Sequence, residues 1–183
     1  DGTTTASLSA FNLTVTNVND APIISGSPAT SVAQGAAYAF QPTASDPDGN
    51  TLTFSIANRP AWLSFNASTG RLSGTPTNAN VGSYSNIVIS VSDGTTTASL
   101  SAFNLTVTNI NDAPVISGSP ATSVAQGATY AFQPTASDPD GNTLTFSIAN
   151  RPSWMSFNTS TGRLSGTATN ANVGSYSNIV ISV

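Results

Sequence analysis

Tandem seven-stranded Greek-key β-sandwiches, all-β, are the fold class this sequence predicts. Three observations predict it: a 92-residue internal repeat, short apolar segments of period two, and turn signals about every 8–12 residues. Residues 1–91 match residues 93–183 at that offset with seven differences, Val18/Ile110, Ile23/Val115, Ala37/Thr129, Ala61/Ser153, Leu63/Met155, Ala67/Thr159 and Pro76/Ala168. All are mild. The period is too long for a solenoid unit and suits one small domain per repeat.

Within a repeat, Tyr38/Phe40, Leu52/Phe54/Ile56, Ile87/Ile89/Val91 and Phe103/Leu105/Val107 alternate with polar residues. Each set would place its apolar side chains on one face of a strand. Between them lie "DPDGN", "NRP", "NASTGR", "NANVGS" and "SDGTTT", which read as turns. "NASTGR" is expected to join two short strands with Leu63, Phe65 and Leu72 inward and Gly70 at positive φ. No stretch carries a helical period.

The repeat frame divides the chain in three. Residues 1–17 read as the last strand of a preceding repeat, 18–109 as a complete sandwich, and 110–183 as a second sandwich lacking its last strand. That missing strand is present in sequence at Leu8, Phe11, Leu13 and Val15. Two arrangements follow: a window of a continuous array, or a protomer whose N-terminal strand enters the groove of a neighbour. In both, Asp1 would take the place in a neighbouring copy that Asp93 holds in the complete domain.

Composition removes whole classes of chemistry. Charged residues are 7% of the chain; there is no His, Cys, Lys or Glu, and the net charge is −4. Zinc, haem and iron–sulfur ligand sets are therefore missing, as are most general bases and covalent nucleophiles. No enzyme is expected. Four arginines give no basic surface for nucleic acid. No apolar run approaches the ~20 residues of a membrane helix, so no membrane insertion of this segment is expected.

All eight acids are aspartates, confined to "NDAP", "DPDG" and the "DG" that follows a strand. The sequence Asp46-Pro47-Asp48-Gly49-Asn50 puts two carboxylates on one side of a tight turn, with an amide oxygen beside them. Calcium binds such oxygen donors. The plainer reading is that these residues make Asx-turns. Both stay open at the level of single motifs. The confinement of every acid to these motifs favours calcium.

"WLSFNASTGRLSGTPT" at residues 62–77, together with "NDAP", "DPDGNTLTFSI" and "VSDG", resembles the cadherin-like putative immunoglobulin repeats of bacterial and archaeal surface proteins. These are related to dystroglycan-type cadherin domains. The resemblance covers the whole chain. It implies an extracellular or cell-surface location, adhesion or glycan contact, and calcium between domains. By the cadherin arrangement, Asn19, Asp20, Asp46, Asp48 and Asp93 would converge on Ca2+, with Asn111, Asp112, Asp138, Asp140 and Asp1 as repeat equivalents. The glutamates that cadherins contribute from the preceding domain are absent, and Asn17 stands where an Asp is common. One ion, or two, per junction is therefore expected.

Trp62 and Trp154, flanked by Arg71 and Arg163, are candidate glycan platforms. A Trp beside "RP" is more simply read as packing over a core edge. Two functions emerge from the sequence. The first is a calcium-binding structural repeat of a long adhesin or filament, joined end to end with copies of itself. The alternative is a carbohydrate-binding module that contacts surface glycans.

Overall fold

The structure of the chain, a computed structural model, describes residues 2–183. Two compact units divide it, residues 1–108 and 109–183. Asp1, placed in the metal set by repeat equivalence, lies outside the described residues.

Unit 1 contains ten strand segments: β1 (Ile23–Ser25), β2 (Ser31–Ala33), β3 (Tyr38–Phe40), β4 (Thr43–Ser45), β5 (Thr53–Ala57), β6 (Ser64–Phe65), β7 (Leu72–Gly74), β8 (Gly82–Ser92), β9 (Thr97–Ser99) and β10 (Phe103–Thr108). They amount to seven strands, because β1/β2, β3/β4 and β9/β10 are each one strand in two pieces. Gln41 and Pro42 separate β3 from β4, where proline offers no N–H to a ladder. On one layer β1 pairs with β4, and β3 pairs with β7, which pairs with β6. On the other, the order is β2-β10-β8-β5.

The long strand β8 organises that second layer. Its C-terminal half pairs with β5, Thr53 opposite Ser92 through Ala57 opposite Val88. Along its other edge run β9 and then β10, Ser90 opposite Ser99 and Phe103 opposite Ile87. β9 and β10 pair in turn along the same edge of β8 as one interrupted strand, and within β10 the register slips between Phe103 and Leu105, a bulge. The outer edge of β10 is covered by β2 in parallel, Val107 opposite Val32.

The alternating residues meet between the layers. Leu72, Ile87, Ile89, Val91 and Leu105 are fully buried, and Tyr38, Phe54, Leu63, Phe103 and Val107 nearly so. The hairpin is as the sequence predicts: Leu63 and Leu72 are buried, Phe65 half-buried, and Gly70 has φ +71°. "NANVGS" contains a 3₁₀ turn, Asn78–Asn80, whose carbonyl at Asn80 accepts from the Tyr84 hydroxyl at 2.9 Å.

Unit 2 repeats the first layer. Its strands are β11 (Val115–Ser117), β12 (Thr129–Phe132), β13 (Thr135–Ser137), β14 (Ser147–Ala149), β15 (Ser156–Phe157), β16 (Leu164–Thr167) and β17 (Val180–Ser182). β11 pairs with β13, and β12 with β16 and then β15. Met155, which replaces Leu63, fills the core at 6% exposure.

The second layer of unit 2 is reduced to β14 against β17. The described residues of unit 2, which end at Val183, include no counterpart of β9 and β10, and the segments beside both edges that β10 holds in unit 1 are not strand. Residues 123–125, equivalent to β2, are not strand, and neither are 174–179, equivalent to the first half of β8. A strand segment without a partner has no ladder to satisfy its backbone. The core opens at the same place. Ile87 is fully buried, whereas its equivalent Ile179 is partly exposed. A cavity of about 870 Å³ lies between the layers, lined by Tyr130, Trp154, Leu164, Tyr176, Ile179 and Ile181 among others.

Candidate metal centre

The turn Asp46-Pro47-Asp48-Gly49-Asn50 follows β4. Asp46 Oδ1 accepts from the backbone N–H of Asp48 at 2.9 Å and of Asn50 at 3.1 Å. The Asp46 carbonyl accepts from Gly49 N–H at 3.2 Å, and Gly49 takes φ +76°. This is an Asx-turn, as the plainer sequence reading has it. It uses only one of the two Asp46 oxygens. Asp46 Oδ2 is buried and has no hydrogen-bond partner.

The "TNVND" linker lies over that turn. Asn17 Nδ2 donates to Asp48 Oδ1 at 3.0 Å, and the backbone N–H of Asp20 donates to Asp48 Oδ2 at 2.7 Å. Asn19 bridges two loops: its Oδ1 accepts from Asn50 Nδ2 at 2.9 Å, while its Nδ2 donates to Asp93 Oδ2 at 2.9 Å. The linker, the acidic turn and the end of β8 therefore meet at one end of unit 1.

Asp93 closes the turn after β8. Its Oδ1 accepts from the backbone N–H of Thr95 at 2.7 Å and of Thr96 at 2.6 Å, and its Oδ2 from the Thr96 hydroxyl at 2.8 Å. The amide of Asn19, followed by the backbone of Thr96 and Thr95, holds its carboxyl far below the usual aspartate range.

Unit 2 repeats the arrangement from its own residues. Asp138 Oδ1 accepts from the N–H of Asp140 at 2.9 Å and of Asn142 at 3.1 Å. Asp140 Oδ2 accepts from Asp112 N–H at 2.6 Å, and Asn142 Nδ2 donates to Asn111 Oδ1 at 2.9 Å. Here the buried oxygen without a partner is Asp140 Oδ1. Each acidic turn thus contains one orphaned carboxylate oxygen.

The sequence-predicted residues Asn19, Asp20, Asp46, Asp48 and Asp93 are linked in unit 1, and Asn111, Asp112, Asp138 and Asp140 in unit 2. Among the described residues, no three acidic side chains group closely enough to hold a metal ion by themselves. Asparagine amides stand between the carboxylates. A calcium ion at this end would need amide and backbone oxygens beside the carboxylates, which is the donor chemistry calcium accepts. Asn17 and Asn50 also contact the cluster; the sequence offers the Asn50 amide beside the two carboxylates, whereas Asn17 is marked there only as standing where an Asp is common.

Trp62 and Trp154 are half-buried. Trp62 meets Tyr38 edge-on at 6.3 Å and Tyr84 at 6.2 Å, and Trp154 meets Tyr176 at 6.2 Å. The Nε1 of each indole is buried without a partner. Arg71 and Arg163 are exposed on the neighbouring hairpin turns, while Arg59 and Arg151 donate to the carbonyls of Leu63 and Met155.

Two layers, with β1, β3/β4, β6 and β7 in one and β2, β5, β8 and β9/β10 in the other, define an immunoglobulin-type sandwich, here with an acidic turn at one end. The chain belongs to the Putative Ig domain family, whose model matches residues 21–108 and 113–183. No curated protein matches the sequence. Among solved structures, human Protocadherin-24 EC1-2 aligns at 18% identity over 90% of this chain and 95% of its own, with a TM-score of 0.45. The endo-fucoidan hydrolase MfFcnA4 of glycoside hydrolase family 107 aligns at 22% identity and a TM-score of 0.40 over 88% of this chain. The chain spans about a quarter (27%) of that hydrolase. Protocadherin gammaB7 EC3-6, a cis-dimer structure, aligns at 15% identity over 85% of this chain and 46% of its own, with a TM-score of 0.42. At these scores the likenesses carry no function to this chain. Among the described residues, no helix is long and apolar enough to cross a membrane.

Proposed function

We propose that this chain is a calcium-binding structural repeat of an extracellular adhesin or filament, in which calcium stiffens the joint where each linker enters the next sandwich. The observation that carries the reading is the orphaned oxygen in each acidic turn, Asp46 Oδ2 and Asp140 Oδ1. A buried carboxylate oxygen without a donor is costly, and a bound cation removes the cost. The confinement of all eight aspartates to these motifs supports it. Asp46, Asp48, Asp93, the Asn17 and Asn19 amides and backbone carbonyls would hold the ion in unit 1. Asp138, Asp140 and Asn111 would do so in unit 2. The ion would screen mutual repulsion among the carboxylates and tie linker to sandwich. Affinity at the weak extracellular end, ~10⁻⁴–10⁻³ M, matches so few carboxylates.

Calcium titration followed by calorimetry and small-angle scattering tests this. Added calcium should raise the melting temperature and lengthen the mean particle, and EGTA should reverse both. Identical melting and scattering with calcium and with EGTA would end the reading.

A further inference from the structure

We propose that the linker amides of Asn17 and Asn19 are a latch on the calcium site of unit 1. Without the ion they occupy its carboxylates as donors, and calcium enters by turning them over into ligands. The latch rests on the calcium-binding reading and adds the route by which the ion acts on the linker.

An ionised carboxylate offers about four lone-pair sites, two on each oxygen. Those of Asp93 are all taken. Its Oδ1 accepts from the N–H groups of Thr95 and Thr96, and its Oδ2 from the Thr96 hydroxyl and Asn19 Nδ2. Asp46 Oδ1 is filled by the N–H groups of Asp48 and Asn50. Asp48 takes one donor on each oxygen, Asn17 Nδ2 and Asp20 N–H. Among these oxygens only Asp46 Oδ2 is without a donor.

One free oxygen does not make a calcium site, which takes about six to eight. Some donors must give way, and they differ in their freedom to do so. The backbone N–H groups are fixed by the turns they close. Asn17 and Asn19 are exposed side chains, and an asparagine amide turns about a soft, nearly two-fold torsion. Half a turn of Asn17 withdraws its Nδ2 from Asp48 Oδ1 and presents its own Oδ1 instead. The same half-turn at Asn19 frees Asp93 Oδ2. Because Asn19 Oδ1 accepts from Asn50 Nδ2, Asn50 turns with it. An amide N–H repels a cation where an amide oxygen binds one, so the two orientations exclude each other and the ion selects between them.

Unit 2 shows that the amide is detachable. Its turn keeps the backbone bonds: the N–H groups of Asp140 and Asn142 to Asp138 Oδ1, Gly141 N–H to the Asp138 carbonyl, and Asp112 N–H to Asp140 Oδ2. Yet Asp140 Oδ1, the equivalent of the oxygen that Asn17 holds, is buried without a partner. The turn stands without the amide.

Proton–nitrogen correlation spectra of the 183-residue protein, recorded in EGTA and through a calcium chloride titration with calorimetry in parallel, test the proposal. In EGTA the side-chain amide protons of Asn17 and Asn19 should exchange with water more slowly than free asparagine amides. Asn17→Asp and Asn19→Asp each delete one of these signals and so assign them. Calcium should shift both signals and return them to fast exchange, while the backbone amides of Thr95 and Thr96 stay protected. Asn17→Asp keeps an oxygen ligand but cannot donate. It should tighten calcium binding to unit 1 at least ~10-fold and lower the melting temperature in EGTA. Calorimetric heat with both amide signals unmoved overturns the latch and leaves the calcium reading standing. So does an affinity that Asn17→Asp leaves unchanged or weakens. A titration with neither heat nor shifted signals overturns both.

Discussion

The backbone N–H of Asp20 donates to Asp48 Oδ2 at 2.7 Å, across 28 residues of sequence. Asp112 and Asp140 repeat the bond at 2.6 Å. The linker is thus pinned to the acidic turn of the sandwich that follows it. Asp48 accepts a second bond, from Asn17 Nδ2. An Asn at position 48 could not accept both, because its Nδ2 would face a donor.

Asp48→Asn should therefore cost the calcium-free protein about 1 kcal/mol through one lost charge-assisted bond. It should also blunt the calcium dependence of unit 1. Paired melting curves with EGTA and with millimolar calcium measure both effects. A mutant whose calcium-induced rise in melting temperature equals that of the wild type would remove Asp48 from the ligand set.

Gly70 is held at φ +71°, and a Cβ built there would sit 2.6 Å from Phe54 Cδ1 and 2.7 Å from Pro42 Cγ. Gly162 meets Phe146 at 2.6 Å and Pro134 at 2.8 Å in the same way. Backbone strain and collision with ring atoms in the core add together here. Gly70→Val is expected to destabilise unit 1 by roughly 3 kcal/mol or more. Urea denaturation reads this directly, and an unchanged midpoint would refute the packing described at the hairpin.

Tyr38 is 4% exposed, and its hydroxyl donates to the Ala29 carbonyl at 3.0 Å. Burial pushes its phenol above the ordinary value of 10.0. A raised pKa in the folded state gives stability that is fully present below the unfolded value and is lost as pH rises through the folded value. Unit 1 should therefore weaken above about pH 10, and Tyr38→Phe should flatten that decline at the expense of about 1 kcal/mol near neutrality. Denaturation midpoints from pH 8 to 11 provide the check; parallel declines in both proteins would contradict it.

Most of the sandwich was legible in the sequence because its core strands alternate cleanly. Ile87, Ile89 and Val91, and Phe103, Leu105 and Val107, declare one face each, and all six are buried. The segments β1, β2 and β4 were not legible. Each is three residues long, with exposed or half-buried side chains, so hydrophobic period says nothing there; pairing with β4 and β10 creates them. The fate of residues 123–125 shows the dependence: the same Ser-Val-Ala is strand beside β10 and irregular without it. The acidic turn was visible as "DPDGN". What its sequence could not reveal was that Asp46 divides its work, one oxygen closing the turn and the other left buried and unpaired.

That dependence on a partner strand gives the last prediction, which compares one side chain in two settings. Ile89 and Ile181 are equivalent residues in nearly identical repeats. Ile89 is fully buried in the core of unit 1, whereas Ile181 is partly exposed on the wall of the open cavity. Truncating a buried isoleucine costs the lost transfer energy plus that of the cavity left behind, about 2–5 kcal/mol. At Ile181 water already reaches the site and the surroundings are not closed, so both contributions shrink. Under monomeric conditions, Ile89→Ala should cost ~3 kcal/mol and Ile181→Ala less than about half of that. Chemical denaturation of the two single variants, with the melts of units 1 and 2 resolved, supplies the comparison. Equal losses would show that the core around Ile181 is as closed as that around Ile89.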